Sequence, residues 1–390
     1  MHIAYLHYLQ EDDTALYHVR QFAQAAGDLG HRVDVHAIRT PRTDSVGSGQ
    51  QRAAWRGSLR AGIGRALHEP KELASSFVYH FREMRCLRNC RPDVLLVRNK
   101  SLTASFLWTA ARTRRPLTIE INAPRVEALL YDRDHFHVPF IPDWLQALKL
   151  RRADSVVTVS SALRDHLIER HRIDHERFVV TPNGADVDLF SPGINPDAEI
   201  LAEFGDAPVV GFVGSFSRWH GVDLLAEMTR RIAERRPEAR FVYVGSGPEV
   251  DALTAASAGL EPRLRMLGRV PHERIPALVA TFAVAVMPDS NFYGSPLKVV
   301  EWMAAGRPIV APAYGPLLEI IESGKDGLLF EPGRIDALVS AVTGLLDNVD
   351  LRGRLGRNAA ERARRELTWT HNAQRVLRAC SNAIERHARL

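Results

Sequence analysis

The chain has 390 residues, 45% hydrophobic and 25% charged, with a net charge of +5. That length supports two domains with real cores, and the composition excludes a disordered or fibrous chain. No apolar run reaches a membrane span, the start Met1-His-Ile-Ala-Tyr-Leu lacks a signal peptide's basic and long apolar regions, and Cys86, Cys90 and Cys380 give neither a disulfide framework nor a metal-binding spacing. A cytoplasmic protein with reduced thiols is expected, at most resting on the inner face of a membrane. The small positive charge suits anionic substrates or an anionic membrane face and argues little for nucleic acid. Nothing in the sequence sets the oligomeric state.

Residues 2–7 read as a strand, 15–29 as an amphipathic helix ending at Gly30, and 32–38 as a second strand, which together make a βαβ opening. The loop before the helix, 10–14, is acidic and contains Asp13 and Thr14. Residues 40–51 are rich in Gly, Ser, Pro and Thr and read as a loop. Residues 52–91 have a helical, basic pattern. Arg52, Arg56, Arg60 and Arg65 alternate there with Trp55, Leu59, Ile63 and Leu67. Two readings stay open for this stretch: a helix packed on the sheet with its arginines in water, or an amphipathic face for an anionic membrane.

Strands at 93–98 and 116–121 flank a helix at 101–114. In an open α/β sheet, ligands sit beyond the carboxyl ends of the strands, so Asn122, following the second of these strands, and Glu120 within it become candidates. A helix at 142–152, a strand at 154–159, a helix capped by Ser161 and a strand at 178–181 complete the first half. Pro182-Asn183-Gly184 is a turn signal, and 191–196, with two prolines and a glycine, reads as a linker.

The second half repeats the alternation. Strands are expected at 209–213, 239–244, 264–267, 282–286, 308–311 and 324–330, and helices at 221–236, from 271, at 335–346, at 351–366 and at 371–386. Two alternating halves of this kind argue for two doubly wound α/β domains.

Residues 292–306 carry the densest chemistry. Ser295 suits a helix cap, Pro296 the first helical position and Gly306 the exit. The amides of Leu297 and Lys298 then form an anion site, with the Lys298 charge beside it. Leu297, Val299, Val300, Trp302 and Met303 make the helix apolar on nearly every side and therefore buried. Glu301 lies on the same face as Lys298 and needs a partner there. A diphosphate followed by a ribose diol matches this pattern. So does a plain core helix with a satisfied Lys–Glu pair.

The run from Tyr293 to Ala311, Tyr-Gly-Ser-Pro-Leu-Lys-Val-Val-Glu-Trp-Met-Ala-Ala-Gly-Arg-Pro-Ile-Val-Ala, resembles the sugar-nucleotide motif of the GT-B retaining glycosyltransferases of family 4, glycosyl transferases group 1. Residues 214–225 resemble that family's phosphate loop, 182–186 its Pro-Asn-Gly-Val-Asp element, and 245–248 its Gly-x-Gly-Pro turn. The resemblance covers nearly the whole chain. It implies two facing Rossmann-like domains with a deep cleft between them. Residues 1–190, completed by the C-terminal helix 371–390, would bind the acceptor, and 197–367 the nucleotide sugar.

This chain departs from the family at four places. The first of the family's two motif Glu residues, which faces the transferred sugar, falls on Tyr293. The Arg and Lys of the phosphate loop fall on Ser215 and His220, leaving Arg218 to restore a cation. The Gly-Gly loop before the first helix is replaced by the acidic 10–14 segment, and the His that many members carry near the sugar is absent. Carried over residue by residue, the resemblance implies Arg218, Lys298, Asn122 and Tyr293 as catalytic. The nucleotide-sugar set is Gly214, Ser215, Phe216, His220, Gly245, Arg269, Val270, Gly294, Ser295, Pro296, Leu297 and Glu301. Asp13, Thr14 and Asn183 fall on the acceptor side. The implied activity is metal-independent hexosyl transfer, with retention, from a UDP- or GDP-linked sugar to a hydroxyl of a glycan, glycolipid or small natural product. The donor is then a substrate, and no cofactor or metal is expected. A non-catalytic sugar-nucleotide binder and a nucleotide-sugar epimerase are the alternatives.

Overall fold

The computed structural model describes residues 1–9, 15–39, 68–124 and 140–389. The acidic 10–14 loop, the 40–51 loop and the basic stretch up to residue 67 lie outside the described residues, and with them Asp13 and Thr14.

The described elements run β1 (His2–His7), α1 (Ala15–Asp28), β2 (Arg32–Ala37), α2 (His68–Leu87), β3 (Val94–Arg98), α3 (Ser105–Thr113), β4 (Leu117–Ile121), α4 (Phe140–Arg152), β5 (Ser155–Thr158), α5 (Ser161–His171) and β6 (Phe178–Val180). The second series is α6 (Ala198–Phe204), β7 (Val209–Val213), α7 (Val222–Arg235), β8 (Arg240–Val244), α8 (Val250–Ala256), β9 (Leu264–Gly268), α9 (Ile275–Ala280), β10 (Phe282–Val286), α10 (Leu297–Ala304), β11 (Ile309–Pro312), α11 (Gly315–Ile320), β12 (Leu328–Phe330), α12 (Ile335–Asp347), α13 (Val349–Glu366) and α14 (Trp369–His387).

The chain divides into two compact units. One comprises Met1–Val159, Leu163–Thr181 and Asn372–Leu390, and the other Ser160–Ala162 and Pro182–His371. Each holds one six-stranded, all-parallel sheet. The first has the order β2-β1-β3-β4-β5-β6 and the second β12-β11-β10-β7-β8-β9. The direction of winding reverses between β1 and β3 in the first sheet and between β7 and β10 in the second. Such a switch point leaves a crevice at the strands' carboxyl ends.

Strands covered on both faces need apolar side chains throughout. Ile3, Ala4, Tyr5 and Leu6 of β1 are buried, as are Val209, Val210 and Phe212 of β7 and Val284, Ala285 and Val286 of β10. Each large aliphatic side chain so enclosed contributes about 1.5–3 kcal/mol relative to exposure.

Several boundaries differ from expectation for identifiable reasons. The helix expected at 101–114 starts only at Ser105, because the buried Lys149 ammonium donates to the carbonyls of Lys100 and Ser101 at 2.6 and 2.7 Å. Those oxygens would otherwise accept the first helical bonds. Ser161 is the first residue of α5 rather than its cap. The short helices α6, α8 and α11 have no counterpart in the sequence reading, since six or seven residues are too few for a helical period to show. Among the described residues, no helix is long and apolar enough to cross a membrane, and all three cysteines are free.

Candidate functional site

The site of the second unit gathers at its switch point, where the segments following β7 and β10 lie side by side. After β10 the chain makes an Asx turn. Asn291 Oδ1 accepts from the amides of Tyr293 and Gly294 at 3.2 and 2.6 Å. It then enters α10. The helix ends in a Schellman arrangement: Gly306 N–H donates to Met303 O at 2.9 Å and Arg307 N–H to Trp302 O at 3.0 Å, with Gly306 at φ +68°. Val299, Val300, Glu301, Trp302, Met303 and Ala304 are all buried.

The start of α10 corrects the sequence reading. Pro296, not Ser295, stands at the cap position, and no side chain caps the helix. The Ser295 hydroxyl instead accepts from the Asn183 amide at 3.0 Å, and the Asn183 side chain donates to Ser295 O at 2.6 Å. Asn183 therefore clamps the segment that leads into the helix. The first-turn amides of Leu297 and Lys298 have no helical acceptor, as helix geometry requires.

Lys298 reaches across to the loop after β7. Its ammonium lies 4.7 Å from the Phe212 ring centroid and 3.0 Å from His220 Nε2. A Cβ on Gly214 would meet Nζ at 2.3 Å, so glycine at φ +155° is what admits the ammonium here. The buried His220 ring has its Nδ1 2.7 Å from the Ser215 carbonyl oxygen and 3.1 Å from the Ser215 hydroxyl. A carbonyl oxygen only accepts, so Nδ1 carries the proton and Nε2 offers a lone pair to the ammonium. Burial, together with the Lys298 charge, pushes the His220 pKa down to about 2. The ring is thus a neutral rest for the lysine and adds no positive charge to the loop. Burial also lowers Lys298 to about 7, with Glu301 pulling the other way.

Glu301, one turn further, is 8% exposed, and its Oε1 is buried without a hydrogen-bond partner. Among the described residues it makes no ion pair, so the satisfied Lys–Glu pair is not what the helix contains. Burial raises its pKa to about 8, with Lys298 opposing and Asp186 adding to the rise.

Three loops at these strand ends are stitched together. Phe216 N–H donates to Ser246 O at 3.0 Å, Glu249 N–H to Phe216 O at 3.0 Å, and Gly245 N–H to Gly268 O at 2.8 Å. A Cβ on Gly245 would lie 1.9 Å from Gly214 O, so no side chain fits there. Exposed Arg269 donates to Ser246 Oγ at 2.7 Å, and Val270 packs on the core. Arg218 is exposed, and among the described residues its side chain makes no hydrogen bond or ion pair. Tyr293 is buried, its ring edge-on to Phe292, and its carbonyl accepts from Ser160 Oγ at 2.6 Å. Sequence reasoning missed Asp289. Its Cβ lies 2.6 Å from where a Gly221 side chain would begin, and burial raises its pKa. The signal was its place three residues beyond Val286, the last residue of β10.

Asn122 lies in the first unit, beyond the carboxyl end of β4. Its Nδ2 donates to Glu120 Oε1 at 2.7 Å, while its Oδ1 is buried without a partner. Glu120 is ion-paired to Arg98 at 2.6 Å and also accepts from Tyr5.

Two doubly wound parallel sheets, the second with a helix start, an ammonium and an unpaired carboxylate at its switch point, define a GT-B type α/β protein. A family model described as Glycosyl transferases group 1 matches residues 207–348, and one described as Glycosyltransferase Family 4 matches 16–189. The chain belongs to the group 1 glycosyltransferases of family 4. It is 28% identical over 261 residues to an alpha-D-kanosaminyltransferase of Streptomyces kanamyceticus, covering 63% of this chain and 65% of that one. Over 250 residues it is 31% identical to a D-inositol 3-phosphate glycosyltransferase of Stackebrandtia nassauensis, covering 60% and 56%. These matches span roughly three-fifths of the relatives' lengths. Among solved structures, HepE of Anabaena in complex with UDP superposes with a TM-score of 0.73 at 19% identity, covering 98% of this chain and all of that one, which is a likeness of fold.

Proposed function

We propose that this protein is a retaining glycosyltransferase that moves a sugar from a nucleotide diphosphate sugar, UDP-linked or GDP-linked, to a hydroxyl of a glycan, glycolipid or small natural product. The observation that carries the reading is the Lys298 ammonium, set on the His220 lone pair beside the first amides of α10, with the unpaired Glu301 one turn beyond. Cleavage of the anomeric carbon–phosphate bond builds charge on the leaving diphosphate, and catalysis requires donors fixed where that charge appears. The Leu297 and Lys298 amides and the Lys298 ammonium supply them, with exposed Arg218 free to add a second cation. Glu301 takes the ribose hydroxyls, which relieves its unsatisfied oxygen. Gly294, Ser295 and Pro296 shape the approach to the helix. The residue 245 and 269–270 loops border the nucleotide. The first unit binds the acceptor, and Asn122 presents its amide oxygen there to an O–H or N–H donor. In this scheme side-chain cations and helix amides do the work of a divalent metal, so transfer persists in chelator.

UDP among the structural relatives' ligands makes UDP-sugars the first to try. A thermal-shift screen of UDP-, GDP- and ADP-sugars identifies the donor by the one that raises the unfolding temperature. Transfer of labelled sugar to an acceptor, with the anomeric configuration read by NMR, tests the reaction. Binding without any turnover would leave only a sugar-nucleotide binder, and conversion of the donor with no acceptor present would make the protein an epimerase.

A further inference from the structure

A second cluster of chemistry-bearing side chains lies at the opposite, amino-terminal edge of the first sheet. His2 opens β1, Asp34 lies on the neighbouring β2, and Cys90 follows the turn after α2. His2 Nε2 is 2.8 Å from Asp34 Oδ2, Cys90 Sγ is 3.2 Å from the same oxygen, and Cys90 Sγ is 3.4 Å from His2 Nε2. The register pairs Ala4 with Asp34 and Leu6 with His36, so His2, Asp34 and His36 project from one face of the sheet. His36 Nε2 is buried there without a hydrogen-bond partner. The His2 backbone is held at both ends, its N–H donating to Asp93 Oδ2 at 2.8 Å and its carbonyl accepting from Asp93 N–H at 2.7 Å.

We propose that His2, Asp34 and Cys90 form a zinc site. Around a tetrahedral zinc, donor atoms at normal bond lengths lie about 3.3–3.6 Å apart, so the 2.8 Å edge between His2 and Asp34 must open by about half an ångström and the two edges to the Cys90 sulfur, at 3.2 and 3.4 Å, by about 0.1–0.4 Å. One imidazole, one carboxylate and one thiolate suit zinc better than calcium or magnesium, which take oxygen ligands. The two anionic ligands balance the ion's charge, and the metal replaces the thiol proton, which passes to solvent. Water or His36 completes the fourth position. The ion then ties the first strand, the second strand and the end of α2 together. Its competitor is Arg32, which donates to Asp34 at 3.1 and 3.2 Å and must swing outward.

The test uses the full chain without an affinity tag, stripped by chelator and titrated with ZnCl2 against a chromophoric chelator. CoCl2 serves as the spectroscopic probe. One equivalent should bind, cobalt should show a thiolate charge-transfer band with tetrahedral d–d intensity, and zinc should raise the unfolding temperature. Cys90→Ser and His2→Ala should each weaken binding by about tenfold or more. Arg32→Ala, which leaves every ligand in place, should tighten it, and sugar transfer should be unchanged in all three. The proposal falls if no stoichiometric zinc binds, if Cys90→Ser leaves affinity and the cobalt spectrum as they were, or if Arg32→Ala leaves the affinity unchanged. None of these outcomes depends on the glycosyltransferase reading.

Discussion

The two units carry polar clusters at equivalent places, the carboxyl ends of their sheets, with opposite electrostatics. In the first unit Arg98, Glu120, Tyr5, His18 and Asn122 neutralise one another. Burial alone would raise the Glu120 pKa, but Arg98, His18 and the hydrogen bonds overcome it and hold the carboxyl below its ordinary value. In the second unit Lys298 rests on a neutral ring and Glu301 Oε1 has no hydrogen-bond partner among the described residues, so burial shifts both toward their uncharged forms. A closed cluster gives up its charges to the fold. An open one keeps them for a ligand, at a cost in stability.

The largest expected effect separates the two clusters directly. Glu120→Ala leaves the Arg98 charge unpaired inside the first unit and should cost about 3–5 kcal/mol of stability in denaturant unfolding. Lys298→Ala should show no such loss while kcat/KM falls about 10²–10³-fold, with Lys298→Arg intermediate. If Lys298→Ala unfolds the protein as readily as Glu120→Ala, the contrast between the clusters is wrong.

Glu301→Gln follows. The donor KM should rise about tenfold or more with kcat little changed, because the proposed ribose hold would act equally on ground and transition states. Its stability should move the other way. The folded-state pKa of Glu301 is about 8, above the unfolded value, so the native state holds a proton that the unfolded state releases and stability declines as pH rises toward 8. The glutamine variant lacks that decline. It should be more stable than the native protein by roughly 2–4 kcal/mol at pH 8, with the gap closing at pH 4.

Lys298 predicts a smaller, pH-dependent effect. In the empty site it loses its proton near pH 7, so donor affinity should fall by up to about tenfold per pH unit above that, with proton uptake on binding. Calorimetry in buffers of different ionisation heat measures that uptake, and a flat profile for the native protein would contradict it. Lys298→Arg, charged throughout, should give the flat profile. The smallest effect is at Asn122, where alanine removes the proposed hydrogen bond to substrate and should cost about 1 kcal/mol in kcat/KM. An unchanged rate would place the substrate elsewhere.

Much of the fold was legible in the chain because parallel strands buried on both faces must be written as apolar runs. The strands at 2–7, 209–213 and 282–286 were read at their observed limits. Gly306 was legible as a helix exit because a left-handed residue there favours glycine. Helix starts were less so. Nothing in the sequence near Ser101 announces that Lys149 will take its carbonyl, and nothing near Ser295 announces that Asn183 will take its hydroxyl.

The sequence by itself determined the alternating α/β plan, the family, and the placement of Lys298 and Glu301 on one turn of a buried helix. Periodicity and short spacings are local properties that a chain carries before it folds. Only the tertiary structure decided that His220 is a neutral support for Lys298, that Glu301 stands alone, that Asp289 borders the site, and that Cys90 meets His2 and Asp34. Each depends on hydrogen bonds and burial between residues brought together by strand order, with separations such as the 78 positions between His220 and Lys298. Burial sets the charge state of such groups, and burial exists only once the sheets have formed.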